Sequence, residues 1–195
     1  IPTYNRVEDL DACLNSIRTQ SQTPKEIIIV DDSDDSSIED LVTSKKNGML
    51  EKGIDLKYFR NQGEKNICVA RNQGIEKANG EIILFLDSDV VLDDRYIEEI
   101  SAVYHKHPEA LGVQGFIKNV NISKLYNTIS KLFYFSFLED SRCRMLPSTE
   151  FTYPRNLKEV INADVLSGSN MSLKKEILQE IRFDERLQKY TYKED

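Results

Sequence analysis

The sequence predicts an α/β fold with a mostly parallel central sheet and helices on both faces. Three observations carry that expectation. Short apolar runs, Glu26 to Val30 and Ile82 to Leu86, are too brief for lone helices and suit strands buried on both faces. Stretches with apolar residues at helical spacing lie between such runs, so the order strand-helix repeats four times, as in right-handed parallel units. Both runs end in acids, at Asp31-Asp32 and at Asp87-Ser88-Asp89. In an open parallel sheet the carboxyl ends of the strands face the ligand crevice.

Taken in order, Ile1-Pro2 is the end of a strand, and Val7, Leu10, Leu14 and Ile17 mark a first helix that Ser21 to Pro24 breaks. The strand Glu26 to Val30 follows. Ser36 with Glu39 forms a capping-box pattern that opens a helix through Ile38, Leu41 and Val42, with Lys45 and Lys46 near its end. Asn47-Gly48 and Gly53 read as turns, and Asp55 to Arg60 as a strand. Asn61-Gln62-Gly63 leads to a helix from about Asn66 to Ala78, closed by Asn79-Gly80. After the strand Ile82 to Leu86, Asp94 is expected to cap a helix through Ile97, Ile100 and Tyr104 that stops at Pro108. Leu111 to Phe116 reads as a strand. Leu125 to Leu138 reads as an apolar, aromatic helix, Pro147 to Pro154 as a loop, Val160 to Leu166 as a strand and Lys174 to Ile181 as a helix. Phe183 to Asp195 is loop-like and charged.

At 195 residues the chain suits one domain, 1–195. Ile1 and the Lys193-Glu194-Asp195 end suggest truncation on both sides. A net charge of -7 with no basic run argues against nucleic acid as a partner. Cys13, Cys68 and Cys143 are odd in number and lack C-x-x-C spacing, so they read as reduced thiols of a cytoplasmic protein. The sequons at Asn121 and Asn170 then carry no meaning. There is no signal peptide and no 18-residue apolar span. The stripe within 119–140 could meet a lipid acceptor or the inner face of a membrane; the alternative is core or a partner-facing surface.

The chemistry concentrates at the acids. Two carboxylates 4 Å apart repel by about 1 kcal/mol in water and roughly 4 kcal/mol at an effective dielectric of 20. A hard divalent cation, Mn²⁺ or Mg²⁺, relieves that repulsion and is commonly shared with substrate phosphates. The plain alternative is a solvated acidic turn. Tyr4, near the first strand's end, could offer a face to a base or simply pack, and Asp32 could hold a base N–H or begin a helix. His105 and His107 read as an exposed helix end.

A set of motifs then becomes recognisable: IPTYNR; Ser16-Ile17 with Gln20; EIIIVDDSDD; ARNQGIEKANGEIILFLDSD; SGSNMSLKKE; and FDERL with the terminal KED. Together they resemble the family-2 inverting glycosyltransferases of the GT-A fold over nearly the whole chain. The resemblance implies that Pro2 and Tyr4 line the base pocket and that Asp32 holds uracil or another base. It implies that Asp87 meets the ribose or the ion's water shell, and that Asp89 ligates Mn²⁺ or Mg²⁺ on the diphosphate. Arg71 is carried over as a group near the donor, with pairing to a sheet-edge acid as its alternative. Gly168, Ser169 and Asn170 would lie beneath donor sugar and acceptor, and Glu194-Asp195 matches the Glu-Asp signature with Asp195 as catalytic base. The implied partners are a nucleotide-sugar donor and a glycan or lipid-linked acceptor. For a catalytic domain the resemblance also implies a nucleotide-binding part at 1–118 and an acceptor-side part at 119–195.

Two rival readings remain at this level. LFLDSDVV resembles the haloacid-dehalogenase phosphatase motif, in which the first Asp is the nucleophile, but here 86 residues precede it. IIIVDDS resembles the acidic pocket of a receiver-like module, a class that is shorter. A glycosyltransferase-like domain that binds nucleotide without turnover is a third.

Overall fold

β1 (Pro2–Thr3) pairs in parallel with β2 (Glu26–Asp31), and β2 pairs in parallel with β3 (Asp55–Arg60). This arrangement comes from a computed structural model that describes residues 1–118, 143–145 and 157–187. Helix α1 (Val7–Arg18) buries Leu10, Cys13, Leu14 and Ile17, and α2 (Ser37–Leu50) buries Ile38, Val42 and Met49. These residues form one apolar cluster with Ile27 and Ile29 of β2 and Leu56 of β3. Alternation along β2 turns Val30 the other way, toward α3 (Ile67–Lys77), where a side chain at Gly74 would sit 3.9 Å from the valine. The first half of the chain is therefore a parallel sheet with helices on both faces, as expected.

The second half supplies the antiparallel pairing of a fold expected to be mostly parallel. β4 (Ile82–Leu84) and β5 (Gly112–Gln114) both pair antiparallel to β6 (Met171–Lys174), which lies between them. By sequence no element is assigned to 171–173 and a helix begins at Lys174, whereas β6 occupies 171–174 and the helix begins at Ile177. The strand is hard to see in sequence because a polar residue occupies a core position. Ser172 is fully buried, its hydroxyl donating to Val113 O (2.6 Å) while its carbonyl accepts from Tyr104 Oη (3.0 Å). The helix that follows, α5 (Ile177–Glu180), is a single turn.

Other elements differ at their ends. α2 runs on through Asn47 and Gly48, since its last turn carries Met49 into the core. Its start is not a capping box. The Asp35 carboxylate accepts the Ser37 N–H at 3.0 Å, and the Ser36 hydroxyl donates to Asp40. Gly53 forms the expected turn, at φ +75°, a region open chiefly to glycine. Asn66 caps α3 as its type predicts, accepting the Cys68 N–H at 2.8 Å. α4 (Tyr96–Lys106) is not capped by Asp94; Gln20 Oε1 accepts the Ile97 N–H at 3.0 Å instead. β4 is not buried from its first residue, for Ile82 is exposed, whereas Phe85 and Leu86 are buried. Of the strand expected at Val160 to Leu166, Ala163 makes a lone bridge to Cys143.

By internal contacts the chain divides into Ile1–Gln114 together with the segment from Ser167 onward, and Gly115–Leu166. The three cysteines are buried, and burial pushes the Cys13 thiol up to about 11. The apolar stretch expected to be a helix at 125–138, the loop at 147–154 and Glu194-Asp195 lie outside the described residues.

Candidate functional site

The acids at the end of β2 separate into two kinds. Asp31 is wholly buried, accepting the Ser33 N–H (2.8 Å) and the Tyr58 hydroxyl (2.7 Å), with Arg60 at 3.6 Å. Burial and the Asp31 hydrogen bond push the Tyr58 phenol upward. Asp31 is thus spent on the fold. Asp32 continues the pairing with β1 through its N–H to Thr3 O (2.9 Å), and its carboxylate accepts one bond from Asn61 Nδ2 at 2.6 Å. Burial raises its carboxyl above the ordinary aspartate range, with Asp31 pushing the same way. The Asn61 amide, the Asn66 backbone N–H and Lys65 pull against it.

The loop after β1 reaches both acid clusters. Tyr4 is half-exposed, with its hydroxyl 3.5 Å from Asp34 Oδ2 and Lys65 Nζ 5.2 Å from its ring centroid. Lys65 also pairs with Asp34 and holds that carboxyl below its usual range. Asn5, at φ 52°, donates its backbone N–H to Ser33 Oγ at 2.8 Å. One residue on, the Arg6 guanidinium pairs with the Asp89 carboxylate. Three residues of chain, Tyr4 to Arg6, therefore touch both the segment after β2 and Asp89 beyond β4. Pro2 lies in β1 opposite Val30 and is partly exposed.

At the β4 end, pairing continues past the strand: Phe85 N donates to Met171 O (2.8 Å) and Asp87 N to Ser169 O (3.1 Å). That sets Asp87 opposite the Gly168-Ser169-Asn170 segment. Arg71, buried on α3, fixes the two together, with one guanidinium nitrogen 3.4 Å from Asp87 Oδ1 and 3.2 Å from Gly168 O. The pairing of Arg71 with a sheet-edge acid is thus the arrangement found. Ser167 and Ser169 share a hydroxyl hydrogen bond at 3.0 Å, and Asn170 O accepts from Tyr96 Oη at 2.9 Å.

Several positioning residues escaped sequence reasoning. Ser16 and Gln20 were noted only as part of a motif, yet they grip the segment that follows Asp89. Ser16 Oγ accepts the Leu92 N–H (3.1 Å), and Gln20 Nε2 donates to Asp93 O (2.7 Å). Asn66 and Asn72 hold the stretch from Phe183 to Leu187 through their side-chain amides. A polar residue on the inward face of an amphipathic helix is the signal that would have found them.

Asp87 and Asp89 carry partly exposed side chains, at 35% and 48%. No group of three His, Cys, Asp or Glu among the described residues could hold an ion unaided. Each of these two acids is paired with an arginine, Asp89 with Arg6 and Asp87 with Arg71. Carboxylates are the oxygen donors that Mn²⁺ or Mg²⁺ takes, commonly one or two from the protein with the remaining positions filled by phosphate and water.

The comparisons with known proteins bear on this geometry. The model of "Glycosyl transferase family 2" matches residues 1–182. A poly-β-1,6-N-acetyl-D-glucosamine synthase of Staphylococcus epidermidis is 32% identical over 136 residues, covering 69% of this chain and 32% of that protein. Among solved structures, S. aureus TarS in complex with UDP superposes with a TM-score of 0.64 at 20% identity, over 97% of this chain and 50% of that one. A mannosyltransferase from Pyrobaculum calidifontis in complex with GDP-Man and Mn²⁺ gives 0.57 at 18% identity, over 92% and 44%. The chain therefore spans about a third to a half of the length of these proteins, and it shares the GT-A fold expected from its sequence. With a family model matched along most of its length, the chain belongs to Glycosyl transferase family 2.

Proposed function

We propose that this glycosyltransferase domain moves a sugar, with inversion, from a UDP-sugar to a hydroxyl of a glycan or lipid-linked glycan, using Mn²⁺ or Mg²⁺. The observation that carries the reading is the Tyr4–Arg6 loop, which touches Asp34 beside the β2 end and Asp89 at the β4 end. Negatively charged strand ends are thereby gathered at one edge, where a nucleotide diphosphate can span them. Tyr4 offers a ring face for the base, with Pro2 beside it in β1, and Asp32 accepts a base N–H. Asp87 and Asp89 would hold the ion, which when bound supplies Lewis-acid relief of charge on the departing diphosphate. Arg71, which bonds both Asp87 and Gly168 O, would lie near the donor. Gly168, Ser169 and Asn170 would lie under the sugar, and Glu194 would stand beside the acceptor.

Asp195 is assigned as the general base. Its carboxylate takes the acceptor hydroxyl proton as the new C1–O bond forms opposite the breaking C1–O bond to phosphate. Membership in the family removes the ground for the phosphatase and receiver-like readings. Contact of 119–140 with a membrane surface, and a place at its cytoplasmic face, belong to this proposal. No helix among the described residues is long and apolar enough to cross a membrane. The test is a panel of sugar nucleotides with Mn²⁺, followed for transfer and hydrolysis, on wild type and Asp195→Asn. The variant is expected to bind donor normally and to lose transfer by at least about a hundredfold. Normal turnover by the variant would overturn the assignment of the base.

A further inference from the structure

Asp87 and Asp89 are each answered by an arginine, and the two arginines are held differently. Arg71 is buried, with its guanidinium 5.2 Å from the Phe183 ring centroid, and it bonds Gly168 O at 3.2 Å as well as Asp87 at 3.4 Å. The Arg6 guanidinium donates to Asp89 Oδ2, and the two side chains of that pair are 44% and 48% exposed. Their backbones are nonetheless fixed. The Asn5 N–H bonds Ser33 Oγ at 2.8 Å, and Arg6 O accepts the Leu10 N–H at 3.0 Å in the first turn of α1. On the other side Val90 N bonds Asp87 O at 3.2 Å, and Ser16 Oγ holds the Leu92 N–H at 3.1 Å. Side-chain rotation alone is then enough to open the Arg6–Asp89 pair, whereas Arg71 is gripped from several directions.

We propose that Arg6 is a resident counter-ion at the metal position: it holds Asp89 while no donor is bound, competes there with a divalent cation, and turns to the donor's diphosphate when the cation takes its place. The inference rests on the metal-binding role proposed for Asp89. With Arg6 and Arg71 in place the charges of Asp87 and Asp89 are cancelled, so the repulsion that draws in a cation is already relieved. A cation arriving alone must break the Arg6 pair, and it leaves a guanidinium beside a doubly positive ion. A nucleotide diphosphate arriving with it supplies phosphate oxygens, which a guanidinium meets with paired hydrogen bonds. Cation and nucleotide therefore favour one another's binding, by a factor that linkage makes equal in both directions. An ion pair as exposed as this one is weak enough for the exchange to occur. Asp89 is thereby kept from gathering cations before the donor is present.

The test is titration of the chain with Mn²⁺, read from the electron paramagnetic resonance signal of the unbound ion, without and with UDP, with the Mn²⁺ held by free UDP subtracted. The proteins compared are wild type, Arg6→Gln, Arg6→Lys, Lys57→Gln and Asp89→Ala. Without UDP, Arg6→Gln is expected to bind Mn²⁺ about threefold to fivefold more tightly than wild type, the size of a surface ion pair. The factor by which UDP tightens Mn²⁺ should fall by at least as much, since the variant has no pair to break and no guanidinium to offer phosphate. Arg6→Lys keeps the charge without the planar fork and should lie between the two. Lys57→Gln removes the same charge from a pair with Glu26, at the other end of β2 from Asp31, and should match wild type. Arg6→Gln that matches wild type in both readouts, or that binds Mn²⁺ more weakly without UDP, would overturn the inference alone if Asp89→Ala loses Mn²⁺. Asp89→Ala that binds Mn²⁺ with UDP as tightly as wild type would overturn the metal role of Asp89 and this inference with it.

Discussion

Asp31 and Asp32 are adjacent in sequence and opposite in use. Asp31 takes its hydrogen bonds from Tyr58 and the Ser33 backbone inside the protein, whereas Asp32, at the end of β2, is held by Asn61. Asp31→Ala is expected to destabilise the fold by about 3 kcal/mol, since two buried donors lose their acceptor. Asp32→Asn should leave the melting temperature within a few degrees of wild type while weakening uridine nucleotides about tenfold or more. Thermal melts and nucleotide titration of the two variants check the contrast. The pH sign follows from the same geometry. Burial raises the Asp32 carboxyl, so its charged form, the one proposed to accept a base N–H, is lost on acidification at a pH above the ordinary aspartate range. Sequence located both acids but could not divide them, because the division depends on Tyr58 and Asn61, 27 and 29 residues away. Arg71 is the reverse case. Its alternative as a partner of a sheet-edge acid was already legible, and the bond to Asp87 realises it.

At the scale of elements, joints between helices and strands are made by polar side chains that a reading by apolar period passes over. Gln20, near the end of α1, bonds Asp93 O and accepts the Ile97 N–H at the start of α4. Gln20→Ala should cost about 1 kcal/mol by denaturant unfolding, as it removes the acceptor of the Ile97 N–H at the start of α4 and one of two donors to Asp93 O, which keeps the Tyr96 N–H. Glu26 plays a similar part at the opening of β2. It accepts from Lys57 of β3 and from Asn79 and Gly80 ahead of β4. Its burial pushes the carboxyl up, but those hydrogen bonds outweigh it and the net direction is down. A depressed folded pKa gives stability that is full above the unfolded value and is lost as pH falls through the folded one. Glu26→Gln is therefore expected to destabilise by about 1–2 kcal/mol near neutrality, with the difference closing in acid. The parallel half was legible because β2 is plainly apolar and α1 beside it keeps an apolar helical period. The antiparallel half was not, because β6 puts Ser172 in the core and its partner β5 is three residues long.

For the molecule as a whole, the claim is that one edge collects the ends of β1, β2 and β4 into a single nucleotide-diphosphate site. The acids that end two apolar runs are what pointed to that edge in the sequence. What the sequence could not supply is the pairing of Arg6 with Asp89. The most direct measurement is calorimetric titration with UDP, with and without Mn²⁺, on wild type and on Asp32→Asn and Asp89→Ala. The account predicts that Mn²⁺ tightens UDP binding by wild type about tenfold or more, that Asp89→Ala loses the metal-dependent part, and that Asp32→Asn weakens binding whether or not metal is present. UDP binding that ignores Mn²⁺ and survives both substitutions unchanged would contradict it.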